Sequence, residues 1–423
     1  MSGPTDPPTT TTVITNIGWL LTQDPAHSTR RADRCGPSRS GGAAFPGAGC
    51  GLADAWLIYE GERYEGHARG TARIQAVGTG TPPAADHRID AGGRAVLPGF
   101  VDSHTHMVFA GDRAQEFTAR MAGQPYQAGG ITTTIAATRT ANDETLRRDL
   151  AIRLAESRAA GITTREIKSG YGATTDSEAR LLRLAGEFTA HTTLLGAHVT
   201  PPEFDGNTDA YVNLVIGEMI PACAPLAKGI DVFCEQGAFD ADQSGAVLAA
   251  GITAGLTPRV HANQLGPGPG VQVAVEFGCA SADHCTYLTD DDVEALAGSF
   301  TVATLLPATD FSTRQPYPDA RRLIDAGATV ALATNCNPGS SYTMSMPFVI
   351  ALAVRDCHMT LDEAIWAATA GGARSLGKPD IGHLSAGATA DLVLLDAPHP
   401  DHLAYRPGMP LVAGTIENGI VVV

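Results

Sequence analysis

Four histidines in this 423-residue chain end short runs of β-forming residues: His104 and His106 in FVDSHTH, His261 in PRVHAN and His284 in SADHC. On an extended strand, residues two apart project to the same side, so His104 and His106 can face one metal ion while Thr105 faces away. An HxH pair alone is weak, because exposed histidine pairs are common. Its position directly after LPGFVD makes the metal pair the better reading. Taken singly, His261 and His284 read equally well as hydrogen-bonded structural histidines. Together, at the ends of neighbouring strands beside the HxH pair, they suggest a three-histidine metal site in need of a fourth group. Other strand-like runs end in Lys168 and Tyr171, in His198, in Glu235 and, within TVALATNCNPGSS, in Asn335.

The elements that must position these groups alternate between two kinds. Candidate strands are FVDSHTH, ITTREIKSG, TTLLGAHV, IDVFCE, PRVHAN, ASADHC, TVATLLP and TVALATN. Between them lie segments such as DETLRRDLAIRLAESRAAG and DSEARLLRLAGEF, whose apolar spacing suits amphipathic helices. Several begin at an Asp or Ser cap signal and end at Gly. About eight such strands suggest a closed parallel (β/α)8 barrel over residues 96–380, and in a barrel all the polar strand ends meet at one mouth. Strand-like pieces before it (12–95) and after it (381–423) suggest a small β-sandwich domain built from both chain ends. Residues 1–11, rich in Pro and Thr, and 26–51, poor in large apolar residues, are expected to be disordered.

With 29 basic and 45 acidic residues, the net charge of −16 argues against nucleic acid or an anionic membrane as partner. Eight scattered cysteines without CxxC read as reduced thiols. No apolar run approaches a membrane span, and the N-terminus lacks a signal-peptide pattern, so a soluble cytoplasmic protein is expected.

The stretches LPGFVDSHTHMVFAGDR, EIKSGYG, GAHVTPPE, DVFCEQGAF, SADHC and ATNCNPGSSYTMSM together resemble the imidazolonepropionase family of metal-dependent amidohydrolases. The resemblance runs from about residue 94 to 347. It implies a barrel enzyme with one zinc or iron ion that hydrolyses 4-imidazolone-5-propanoate to N-formimidoyl-L-glutamate in L-histidine degradation. By motif it implies metal ligation by His104, His106, His261 and Asn335, with catalysis by His284 and Gln264. Substrate contacts are implied at Arg113, Tyr171, His198, Asn337 and Gly339. A homodimer follows only by family analogy. Read without the resemblance, Arg113 fits a surface ion pair, Tyr171 a packing residue, and Lys168 a structural partner of Glu166 or Asp176.

Two positions depart from the family pattern. Asn335 stands where the family has an aspartate ligand, and an amide oxygen coordinates weakly and cannot act as a base. Gln264 stands in HANQ where many members have a glutamate, and it cannot shuttle a proton. That leaves His284 as the obvious base, unless Glu235 reaches the attacking water. Two further readings therefore accompany the first: a relative acting on another cyclic amide or amidine, and an impaired homologue that binds without turnover.

Overall fold

The computed structural model describes residues 9–27, 45–64, 67–124 and 130–423. The expectation of disorder thus falls, for 1–8 and 28–44, outside the described residues. Five strands come first: β1 (Thr9–Leu21), β2 (Gly51–Tyr64), β3 (His67–Thr79), β4 (His87–Asp90) and β5 (Ala95–Pro98). Nine short ones follow: β6 (Phe100–Asp102), β7 (Ile162–Arg165), β8 (Ile167–Lys168), β9 (Thr192–Ala197), β10 (Gly229–Cys234), β11 (Thr257–Ala262), β12 (Ser281–His284), β13 (Val302–Leu305) and β14 (Val330–Leu332). The last three are β15 (Leu392–Leu395), β16 (Val412–Glu417) and β17 (Ile420–Val421).

The first and last groups share one eight-stranded sheet, where β15 pairs antiparallel with β5, and β5 pairs in parallel with β1. Its core unites Ile14, Ile17, Leu57 and Ile74 with Leu392 and Ile416 from the far end of the sequence. Each such side chain contributes about 1.5–3 kcal/mol on burial, which ties the two ends together. The segment expected to be loose at 26–51 ends in order: Phe45 is buried against Trp366, ring centroids 4.6 Å apart, and Trp366 Nε1 donates to the carbonyl of Pro46 at 3.0 Å.

Strands β8 to β14 form an all-parallel seven-stranded sheet in chain order, and β6 pairs in parallel with β7. Every residue of β9 and β10 is buried, as suits a parallel sheet covered on both faces. All eight expected central strands are present, but the second is broken at Glu166. Before the break it pairs with β6, after it with β9, and Glu166 N donates to Asp102 O at 2.9 Å where the partner changes. The intervening helices start at side-chain caps: Asn142 for Asp143–Ala159, Thr174 for Thr175–Gly186, and Asp240 in a capping box with Gln243 for Ala241–Thr253.

His104-Thr105-His106 departs from expectation in one respect, since β6 ends at Asp102 and the pair lies beyond it. The segment is still held from both sides by single backbone hydrogen bonds. Lys168 N donates to Thr105 O at 2.9 Å, Asn335 N to His104 O at 3.1 Å, and His106 N to Cys336 O at 2.9 Å. Its neighbours are themselves leaving their strands here, so no ladder continues. No helix among the described residues is long and apolar enough to cross a membrane.

Candidate active site

Three imidazole nitrogens converge at the strand ends. His104 Nε2 lies 3.3 Å from His106 Nε2, which lies 3.3 Å from His261 Nε2. His104 Nδ1 sits 2.7 Å from Asp283 Oδ2, and His261 Nδ1 sits 3.0 Å from Asp231 Oδ1. Each carboxylate therefore takes an Nδ1–H and leaves Nε2 as a lone pair aimed at the common point. A tetrahedral ion with nitrogen ligands at about 2.0–2.1 Å would space them about 3.3–3.4 Å apart, matching what is found. Burial, reinforced by Lys168 for His104 and by His104 for His106, holds both imidazoles well below the usual histidine range and so neutral.

Beneath the histidines lies a buried ionic cluster. Lys168 Nζ is 2.9 Å from Glu166 Oε1, 2.8 Å from Asp231 Oδ2 and 4.0 Å from Asp283 Oδ2. Burial opposes its charge, but Asp231, Glu166 and Asp283 keep it protonated. Burial likewise opposes ionisation of Asp231, yet His261 and Lys168 hold that carboxyl well below its usual range. Of the two partners suggested for Lys168, Glu166 is the one in contact, while Asp176 is exposed on the following helix. Sequence reasoning missed Asp231 and Asp283, although an acid inside the apolar runs GIDVFC and ASADHC was a usable signal.

His284 and Asn335 complete the ring. The His284 ring centroid lies 5.8 Å from that of His104 and 5.4 Å from that of His261, and burial, then His261, keeps it neutral. One ligand atom from each of His104, His261 and His284 lies within 4.8 Å of the others. Asn335 Nδ2 donates to Thr309 Oγ1 at 2.9 Å, while its Oδ1 is buried without a hydrogen-bond partner among the described residues. Asn263, His284, Cys285 and Asn335 all have φ between 52° and 82°, the left-handed region, which is sparsely populated outside glycine. Such strain gathers at sites where the turn off a strand must aim a side chain.

His106, His261, His284 and Asn335 open onto a pocket of ≈ 460 Å³, solvent at its mouth included, lined also by Arg113, Tyr171, His198, Gln264 and Asn337. Arg113 is buried, and Glu116 grips its Nε edge through contacts of 3.0 Å to Nε and 2.6 Å to Nη2. His198 Nδ1 donates to Gly170 O at 3.0 Å, and burial, then His261, pushes its pKa down to about 3, leaving Nε2 as an acceptor. The SGYG turn carrying Tyr171 is organised by Glu178, which accepts from the N–H groups of Gly170, Gly172 and Ala173 at 2.6–2.7 Å. Sequence reasoning missed Glu178, because it lies a helical turn further on.

Three residues act differently from their sequence reading. Glu235 accepts from the N–H groups of Gln236, Gln264 and Leu265 at 2.8–2.9 Å, so Oε1 is taken by its own neighbour and Oε2 fastens the HANQ turn. Asn337 lines the pocket, but its amide serves its own turn, donating to Asn335 O and Ser340 Oγ and accepting from Gly339 N and Ser340 N. Gly339 is not part of the pocket lining; it packs against Arg113. Burial raises the thiols of Cys234, Cys285 and Cys336, so none is poised as a thiolate.

Comparison with known proteins agrees in direction. Residues 95–423 match the amidohydrolase family. The chain is 58% identical over 413 residues to an imidazolonepropionase of Mycolicibacterium smegmatis, spanning 98% of both chains. It is 63% identical over 341 residues to one of Salinispora arenicola, spanning 80% of this chain and 87% of that one. In fold it is similar to an atrazine chlorohydrolase of Arthrobacter aurescens solved with zinc, with a TM-score of 0.67 at 19% identity over 97% of this chain and 94% of that one.

Proposed function

The chain belongs to the imidazolonepropionases of the amidohydrolase family, and from that premise we propose how its own residues carry the reaction. It is a hydrolase of a cyclic amide and opens 4-imidazolone-5-propanoate to N-formimidoyl-L-glutamate in histidine degradation. The identity over nearly the whole chain disfavours both a redirected substrate and a binding protein without turnover. One observation carries the residue assignment: His106 Nε2 lies 3.3 Å from both His104 Nε2 and His261 Nε2, in a site where Asn335 Oδ1 is buried with no hydrogen-bond partner among the described residues.

His104, His106, His261 and Asn335 would hold one zinc or iron ion, whose chemistry when bound would be to polarise the ring carbonyl and acidify the attacking water. His284, neutral and buried at the pocket wall, takes the proton of that water as its oxygen adds to the carbonyl carbon. The carbon–nitrogen bond of the ring then breaks, and the same imidazole returns the proton to the departing nitrogen. Gln264 hydrogen-bonds the ring without exchanging protons. Arg113 meets the propionate with the guanidinium edge that Glu116 leaves open. Tyr171 and His198, whose ring centroids lie 6.0 Å and 5.3 Å from that of His106, line the substrate, and Asn337 and Gly339 shape the Arg113 seat.

The architecture that suits this site is a closed (β/α)8 barrel over 96–380, with a β-sandwich assembled from 12–95 and 381–423. Support for closure comes from Asp102, which accepts from Thr334 N at 2.9 Å and Thr334 Oγ1 at 2.6 Å and so joins β6 to the end of β14. A cytoplasmic location fits a catabolic enzyme of this kind.

The assignment of His284 is tested by His284→Gln in metal-loaded protein. Ring opening should fall by about 10²-fold or more, the usual contribution of general acid–base catalysis, with bound metal unchanged. A variant that keeps its rate removes His284 from the mechanism.

A further inference from the structure

We infer that Arg120 is a positioning residue for substrate recognition: its guanidinium docks the helix that carries Arg113 onto two neighbouring strand-end segments, and so sets where the carboxylate-binding group stands. This rests on the reading of Arg113 as the contact to the propanoate carboxylate. The helix Ala114–Met121 follows Arg113 directly, and Arg113 occupies its N-cap position. Glu116, which grips the Arg113 guanidinium, belongs to the same helix, so helix and guanidinium form one unit. On the other side, Arg113 is joined to the buried Ala110 only through Gly111 and Asp112, both exposed.

A surface helix is ordinarily held by a buried apolar stripe. This one is not: Arg120 is the one buried residue among its eight, while Phe117 and Met121 are exposed. Docking therefore falls to the guanidinium. Arg120 Nη1 donates to Ser312 O at 2.8 Å, and Nη2 donates to Gly339 O at 3.0 Å. A guanidinium only donates and a carbonyl only accepts, so both contacts have a single sense. Ser312 belongs to the helix Pro307–Thr313 after β13, and Gly339 to the turn after β14. The peptide between Gly339 and Ser340 is held at its other end by Asn337 Oδ1, which accepts from Ser340 N at 2.8 Å. Arg113 packs on the same Gly339, so both ends of the helix meet one fixed residue. A further tie, from Arg314 Nη1 to Met121 O at 3.2 Å, is exposed to solvent.

The test compares the metal-loaded natural chain with Arg120→Met and Arg120→Lys on 4-imidazolone-5-propanoate and on its uncharged propanamide, and follows amide hydrogen exchange in the substrate-free proteins. Arg120→Met should raise KM for the propanoate by about tenfold or more and leave kcat within about twofold, the pattern of lost uniform binding. The preference for propanoate over propanamide, read as the ratio of their kcat/KM values, should fall by about tenfold. Amides of residues 117–121 should exchange about tenfold faster, with those of β11 unchanged. Arg120→Lys keeps the charge but cannot span two carbonyls as the planar fork does, so its preference should stay at least about threefold below that of the natural chain. The lysine variant carries the test if the methionine variant does not fold. An unchanged KM, an equal loss on both substrates, or full recovery by lysine would overturn the inference. Arg113→Met separates the premise: an intact preference for propanoate there would mean that Arg113 does not read the carboxylate, whatever Arg120 does.

Discussion

A methyl group on Gly339 would lie 2.1 Å from Arg113 Nη1 and 2.6 Å from its Cζ, so the NPGS turn needs glycine for the guanidinium to lie where it does. The obstacle is the end of a flexible side chain, and the fold can yield by moving Arg113. Gly339→Ala should thus raise KM for the propionate substrate by about tenfold and leave kcat within about twofold, the pattern of lost uniform binding. Steady-state kinetics decide; an unchanged KM would detach Arg113 from substrate recognition. At this scale the sequence was informative where residue type alone implies chemistry, as with the four histidines. Asp231 and Asp283 went unread although an acid inside an apolar run marks them, and Glu178 because it serves N–H groups of the turn before its own helix. The sequence left Glu235 open because a carboxylate at a strand end looks the same whether it faces a water or three backbone N–H groups.

Between elements, Asp391 sits just before β15 and accepts from Asn418 N at 2.7 Å, linking the turn after β16 to the sheet. Burial, only partly offset by that hydrogen bond, raises its pKa to about 6. The folded chain then binds the proton more tightly than the unfolded one, so this group's contribution to stability is complete below about pH 4 and is lost as pH rises through 6. Asp391→Asn removes that loss, and its stability relative to the natural chain should improve by about 1.4 kcal/mol between pH 5 and pH 8. Urea unfolding at the two pH values measures this, and a difference that stays constant with pH contradicts it. The alternation of strand and helix was readable from apolar spacing, and all eight central strands appear. The break at Glu166 and the end of β6 before His104 were not readable, because both follow from a change of hydrogen-bonding partner rather than from local preference.

Over the whole molecule, both chain ends build one sheet and the central strands bring distant histidines together, so an ion held by those histidines would couple its binding to folding. An ion held only by the folded chain at 100–1,000 times its Kd adds about 3–4 kcal/mol. Chelation should lower the thermal midpoint and zinc or iron should restore it, whereas an indifferent midpoint would mean that the histidines hold no ion. The joining of the two termini was foreseeable from strand-like segments at both ends, while the packing of Phe45 on Trp366 was hidden in a segment of polar and small residues. The most direct test of the account is ring opening of freshly generated 4-imidazolone-5-propanoate by the metal-loaded natural chain beside its Asn335→Asp variant. With His284 carrying the proton, the natural chain should turn over at a rate within about tenfold of the variant, a barrier difference of about 1.4 kcal/mol or less. Turnover by the variant alone would show that the missing carboxylate was the proton acceptor and would contradict the account.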